Sequence, residues 1–371
     1  MRALGGCSAR AQVPTATLDG MSLRVRRVPA LLVVTIVCCS MLVRTTDANA
    51  ASSSVSIGAG LHGPSGLSAT MYAKGLKHAS ALATDPQGRV WVATAAATDA
   101  GKDAIYMLGS PGATPQKVLT DVHTPLGLLW LGDTLYVSEH DGVLALRGFD
   151  GTTFASRTTI VSFPTATGEV NGIARGSDGR LYVGISAKCD ACTPSDTYSA
   201  SVVSFRTDGS DLQIVARDIR APVGLAFFPG TDDLFVTMNQ RDDLGRKTPG
   251  DWLSLVQQGQ SWGFPSCYGQ DTAKCASTPR PVAVLDRHAA VSGVAMATGQ
   301  LGSSVGTGAI VAEWVTGKVQ LVRLTRSDPG YTGKVATSLT GFANPVPVLL
   351  DPHGALFVGD WTTGRIYRIT G

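Results

Sequence analysis

Six short segments that read almost alike constrain this chain more than any other feature. "GRVWVA", "DTLYVS", "GRLYVG", "DDLFVT", "GAIVAE" and "GALFVG" each begin at Gly or Asp and run into an apolar strand. Aligned on Trp91, Tyr136, Tyr182, Phe235, Ile310 and Phe357, they are spaced 45, 46, 53, 75 and 47 residues apart. A period near 45 with loop insertions matches a four-stranded propeller blade. The order inside each unit agrees. An apolar strand comes first, such as "NGIARGS" or "PVGLAFF", then a tight turn and the repeated strand. A third strand follows, such as "SVVSF" or "RIYRI", and in most units a fourth, such as "LQIVARD". The chain stops after the third strand of unit six. "SATMYAKGL" (Ser68–Leu76), ahead of unit one, is therefore expected to supply the missing outer strand and close the ring. The expected fold is all-β, a six-bladed β-propeller over residues 67–371. The 75-residue interval is the place where a merged or missed blade would hide.

The N-terminus is read separately. Arg24, Arg26 and Arg27 precede "VPALLVVTIVCCSMLV", and Ala48–Ala50 offers a small-residue cleavage site. Basic, apolar, small: residues 1–50 are expected to be an export signal with an extension, its true start possible at Met21, or an uncleaved anchor. Residues 51–66 then form a short leader. The protein is expected to be secreted or periplasmic, with no integral membrane domain beyond the signal. Residues 1–50 hold six Arg and two Asp, so their removal leaves 25 basic and 26 acidic residues. The mature chain has no basic field for nucleic acid or anionic membrane. It keeps four cysteines, Cys189, Cys192, Cys267 and Cys275. An even count in an exported chain suggests disulfides, and the local pairs 189–192 and 267–275 are the connectivity chosen among three. A cysteine metal site or a redox-active "CDAC" is the alternative.

Propeller geometry sorts the remaining residues. Two strand reversals return the loop between second and third strands to the face from which the first strand is approached. On that face lie His78, His123, Glu169, Arg220, His288 and Asn344, ahead of the first strands. The second-to-third loops add His140, Asp141, the "CDAC" insertion, "NQRDDLGRKTPGD" (Asn239–Asp251), Glu313, Trp314, Asp360 and Trp361. Four of the six histidines thus gather at one channel mouth; His62 and His353 fall outside it. Such a mouth suits a polar ligand, a metal or a cofactor. The adjacent acids of "NQRDDLG" suit Ca²⁺, or simply an exposed turn. No Ser-His-Asp set, Gly-x-Ser-x-Gly, phosphate loop or zinc spacing is present.

"DIRAPVGLAFFPGTDDLFVTMNQRDDLG" (Asp218–Gly245) with "DWLSLVQQGQSWGFPSCYG" (Asp251–Gly269) resembles the glucose/sorbosone dehydrogenase family. "SDGRLYVGISAKCDAC" and "DPHGALFVGDWTTGRIYRI" carry the same likeness. The resemblance implies hydride transfer from a sugar, polyol-like alcohol or aldehyde to pyrroloquinoline quinone (PQQ), with Ca²⁺ as Lewis acid and an external electron acceptor. It places Arg220 against the quinone, Asp251 near cofactor and metal, and the carbonyls around Thr248 and Pro249 among the metal ligands. Asn344 falls at a cofactor-contacting position. The chain departs from the pattern at that position, where Arg is usual. It departs again at Ala221 for Asn, at Val315 for Lys, and at "GEVNGIAR" (Gly168–Arg175), where the catalytic His is missing. Glu169 is then the nearest candidate base, with His288 as the alternative. Three functions follow as expectations: a quinoprotein dehydrogenase; a catalytically inactive propeller binding a glycan, protein or small ligand; and a metal-dependent lactonase.

Overall fold

The computed structural model describes residues 54–98, 101–164, 167–194, 196–268 and 273–371. The stretch expected to be an export signal, with Met21, lies outside the described residues. The described chain is all-β apart from two single 3₁₀ turns, Gly245–Lys247 and Ala273–Cys275.

The six sheets are the six expected blades. Their inner strands are Ala79–Thr84, Gly127–Leu131, Val170–Arg175, Pro222–Phe227, Val291–Thr298 and Pro345–Leu350. Each packs beside the next, and the sixth returns to the first, so the ring is closed. The repeated segments form the second strands, antiparallel to the inner ones, and are almost wholly buried because blades pack on both of their faces. Blade six obtains its outer strand from Ser68–Ala73, which pairs with Arg365–Thr370, as the missing-strand argument required.

Among its described residues the 75-residue interval contains no extra blade. Its length goes into the loop after Met238 and into residues 257–282, while the outer strand of blade four shrinks to Ala283–Val284. Gln260–Ser261 instead pairs in parallel with the outer strand of blade three, lashing blades three and four together. In the stretch read as a leader, Val55–Gly58 and Leu61–Gly63 form a hairpin that extends the outer edge of blade five through His62 and Thr340.

Small residues let the inner strands crowd the axis. A Cβ on Gly172 would meet Val223 O at 2.7 Å, and one on Gly293 would meet Val346 O at 2.8 Å. Hydroxyls stitch neighbouring blades at equivalent places: Ser138 donates to Asn171 O, and Thr237 to Ser292 O at 2.7 Å. The channel between them is a cavity of about 110 Å³ lined by Gly, Ala, Val, Leu, Ile and Pro with Ser80 and Ser292. It holds no titratable side chain among the described residues.

Candidate functional site at the channel mouth

Backbone hydrogen bonds join the loops of one face as the reversal argument requires. His140 N donates to His123 O, Ser186 N to Glu169 O, Asn239 N to Ala221 O and Trp361 N to Asn344 O. Ala187 N donates to Arg220 O, so the backbones of Glu169 and Arg220 flank one dipeptide.

The acids of this face divide by where they point. Asp251, 2% exposed, accepts Gln240 N at 2.9 Å and Val291 N at 3.3 Å. Burial pushes its carboxyl up, against the pull of those amides. Asp103, 4% exposed, stands at the equivalent place ahead of the third strand of blade one and accepts Ala96 N at 2.9 Å and Thr124 N at 3.0 Å. Ala96 and Gln240 each lie five residues after their aligned aromatic, Trp91 and Phe235. These are two copies of one staple, tying a second-to-third loop to the lead-in of the next blade. A second set closes the second strands: Glu139 accepts His123 N, Glu313 accepts Asp286 N, and Asp360 accepts Ala343 N. Burial also raises the carboxyls of Glu139 and Glu313. Sequence reasoning grouped Asp251, Glu313 and Asp360 with the mouth and passed over Asp103 and Glu139. Extending the repeat alignment to the third strands would have exposed the pattern.

A different cluster joins blades three, four and five. Arg220 donates through Nε to Asp190 O at 3.2 Å and through Nη1 to Asn239 O at 3.2 Å, and pairs through Nη2 with Asp190 Oδ1 at 2.6 Å. Asp190 in turn accepts Asp242 N at 2.9 Å and Asp243 N at 2.7 Å. Arg241 is bidentate on Asp243, donates to Pro265 O and lies 4.9 Å over the Tyr268 ring. His288 bridges Asp242 Oδ1 at 2.6 Å and Gly245 O at 2.8 Å; those two acceptors raise its pKa by favouring the imidazolium. Thr248 is buried and donates to Arg241 O. Pro249 follows it, half-buried. The structure therefore gathers Arg220, His288, Thr248, Pro249 and Asp251 around the Asn239–Asp251 loop.

Glu169 and Asn344 stand apart from that cluster. Glu169 is exposed, and its carboxylate makes no hydrogen bond or ion pair among the described residues. Asn344 donates to Trp314 O at 2.8 Å and accepts from the Thr362 hydroxyl at 2.6 Å, linking blades five and six. Beside it the Trp361 ring lies 4.4 Å from His78 and 5.9 Å from Trp314, and its Nε1 donates to Ala95 O. Val315, at the position where the resemblance implies Lys, is 55% exposed. This side of the mouth is aromatic and apolar rather than cationic.

Both cysteine pairs are within bonding distance, with Cα separations of 5.7 Å for Cys189–Cys192 and 5.1 Å for Cys267–Cys275. Among the described residues no three His, Cys, Asp or Glu side chains converge on a metal position.

No protein-family model matches the sequence, and no curated protein matches it. Solved structures do. The holo PQQ domain of pyranose dehydrogenase from Coprinopsis cinerea superposes with a TM-score of 0.69, at 16% identity over 84% of this chain and 97% of that one. A glucose dehydrogenase-type oxidoreductase of Thermus thermophilus gives 0.65, at 18% identity over 82% and 99%. PQQ-bound aldose sugar dehydrogenase of Streptomyces coelicolor gives 0.62, at 17% identity over 83% and 99%. The chain shares its fold with these sugar dehydrogenases, two of which are PQQ-bound or carry a PQQ domain. At such identities the likeness establishes the fold, and the site must be argued from its own residues.

Proposed function

We propose that this chain is an exported propeller of the sugar-dehydrogenase fold that binds a small polar ligand, of the sugar or polyol class, at its channel mouth without oxidising it through a quinone. One observation carries the reading: the guanidinium of Arg220 is already matched by Asp190 and two carbonyls. PQQ is a polycarboxylate and needs uncompensated cations. Arg241 and Lys318 are matched in the same way, by Asp243 and Asp286, while Arg246 and Lys247 are exposed at the outer turn of the loop. The residues fit Ca²⁺ no better. Asp251 is the acid assigned to the metal, and both its oxygens accept backbone amides. Asp103 shows that this use of the carboxylate needs no metal-site context.

What remains at the mouth suits an uncharged ring with hydroxyls. The half-buried His78, Trp361 and Trp314 rings offer an aromatic surface on one side, and Glu169, at the entry to blade three, offers an exposed acceptor elsewhere on the same face. The sugar class also agrees with the enzymes that share the fold. Export is supported by the basic, apolar and small-residue succession in residues 24–50.

Calorimetric titration with PQQ, with and without Ca²⁺, tests the reading, together with PQQ-dependent dye reduction on glucose. The expected result is no binding and no reduction, while glucose quenches tryptophan fluorescence and Trp361→Ala removes the quench. Tight, Ca²⁺-dependent PQQ binding would overturn it. A quinoprotein dehydrogenase, with Arg220 on the cofactor and Glu169 or His288 as base, is the second reading. The PQQ-bound relatives in fold favour it, and it requires Asp190 to leave Arg220.

A further inference from the structure

The contact that separates those two readings is held by a disulfide. Asp190 lies inside the four-residue Cys189–Cys192 ring, whose ends are fixed at a Cα separation of 5.7 Å, with Cys192 N donating to Cys189 Sγ at 2.9 Å. From there its carboxylate meets Arg220 at 2.6 Å and the amides of Asp242 and Asp243, while its carbonyl accepts Arg220 Nε. Arg220 and Asp190 are 19% and 32% exposed, and an ion pair so open to water contributes little by itself. What favours this one is the presentation of Asp190 by a closed ring, which removes most alternative conformations of the loop.

We propose that the Cys189–Cys192 disulfide is a redox latch: oxidised, it clamps Asp190 over Arg220 and shuts the Asn239–Asp251 loop; reduced, it releases both. The reaction is thiol–disulfide exchange. An external dithiol attacks the S–S bond, becomes a disulfide itself, and leaves Cys189 and Cys192 as two thiols, two electrons and two protons having passed to the protein. Access agrees with this. Cys192 is exposed and Cys189 half-buried, whereas Cys267 and Cys275 are 8% and 4% exposed, so a mild dithiol reaches the first pair before the second. The latch regulates the mouth on which the proposed function rests, but its motion is measurable without any ligand.

The test is amide hydrogen exchange at Asp242 and Asp243 in the purified mature protein. It is read oxidised, after mild dithiol reduction with the thiols located by alkylation, and in the Cys189→Ser/Cys192→Ser double variant. Asp190 is the acceptor of both amides, whereas His288 holds the same loop through a carboxylate and a carbonyl. Exchange should quicken about tenfold on reduction and in the double variant, the order expected when a short cross-link is lost. Asp190→Asn should quicken it in both redox states and abolish the redox dependence. Exchange within twofold of the oxidised protein in the double variant overturns the latch. PQQ added to each form separates the two ideas. Binding to the reduced form only would sustain the latch and confine the proposed function to the oxidised protein. No binding to either form, with the quickened exchange, sustains both.

Discussion

Asp251 and Asp190 are acids one loop apart, and they do opposite work. Asp251 is buried, binds amides, and has a twin in Asp103 three blades away. Asp190 is partly exposed, binds a cation as well as amides, and sits in the Cys-Asp-Ala-Cys stretch of blade three's second-to-third loop, which has no counterpart in the same loop of the other blades. In a repeat protein a polar group that recurs at the same step of the repeat answers a need of the repeat. Here the need is to satisfy loop amides that crowd together where two blades meet. A group that occurs once answers something local. The residues at which this chain differs from its own repeat are therefore the better guide to its function.

The largest expected effect breaks the staple. Asp251→Ala strands the buried amides of Gln240 and Val291 and should cost about 2–4 kcal/mol. Asp103→Ala should cost a similar amount, and calorimetric melting of the two variants checks their equivalence. A stable Asp251→Ala protein that has lost Ca²⁺ affinity would restore the metal reading. Next is the close approach of the inner strands. Gly172→Ala drives a Cβ toward Val223 O and should cost about 1–3 kcal/mol, read from the denaturant midpoint. Asp190→Asn should leave stability within about 1 kcal/mol while it changes loop exchange, which is the opposite signature to Asp251. The smallest effect is on pH. The folded pKa of His288 is raised above its ordinary 6.5, so its hold on the loop is complete below that value and is lost as pH rises through the raised one. Asp242→Asn should bring the titration of the His288 ring, followed by NMR, back down toward 6.5.

The ring was legible because burial writes it into the residues. A second strand packed on both faces reads as a short apolar run, and six such runs at a near-constant step leave one architecture. The closing strand was legible by subtraction. The Gln260–Ser261 strand was not, since two polar residues carry no periodicity and their pairing depends on where blades three and four meet. Nor was the role of the mouth acids. Asp251 next to "TPG" reads as a ligand until its carboxylate is seen bonded to amides from residues 11 and 40 positions away.

Local pattern alone determined the blade number, the order of strands, the closing strand and the face that gathers polar residues, because each follows from hydrophobic period and strand reversal. Tertiary structure alone decided which of those polar residues is available to a ligand. A side chain's partner is chosen by distance in space, and the pairing of Arg220 with Asp190, 30 residues away, has no mark in the sequence around either one.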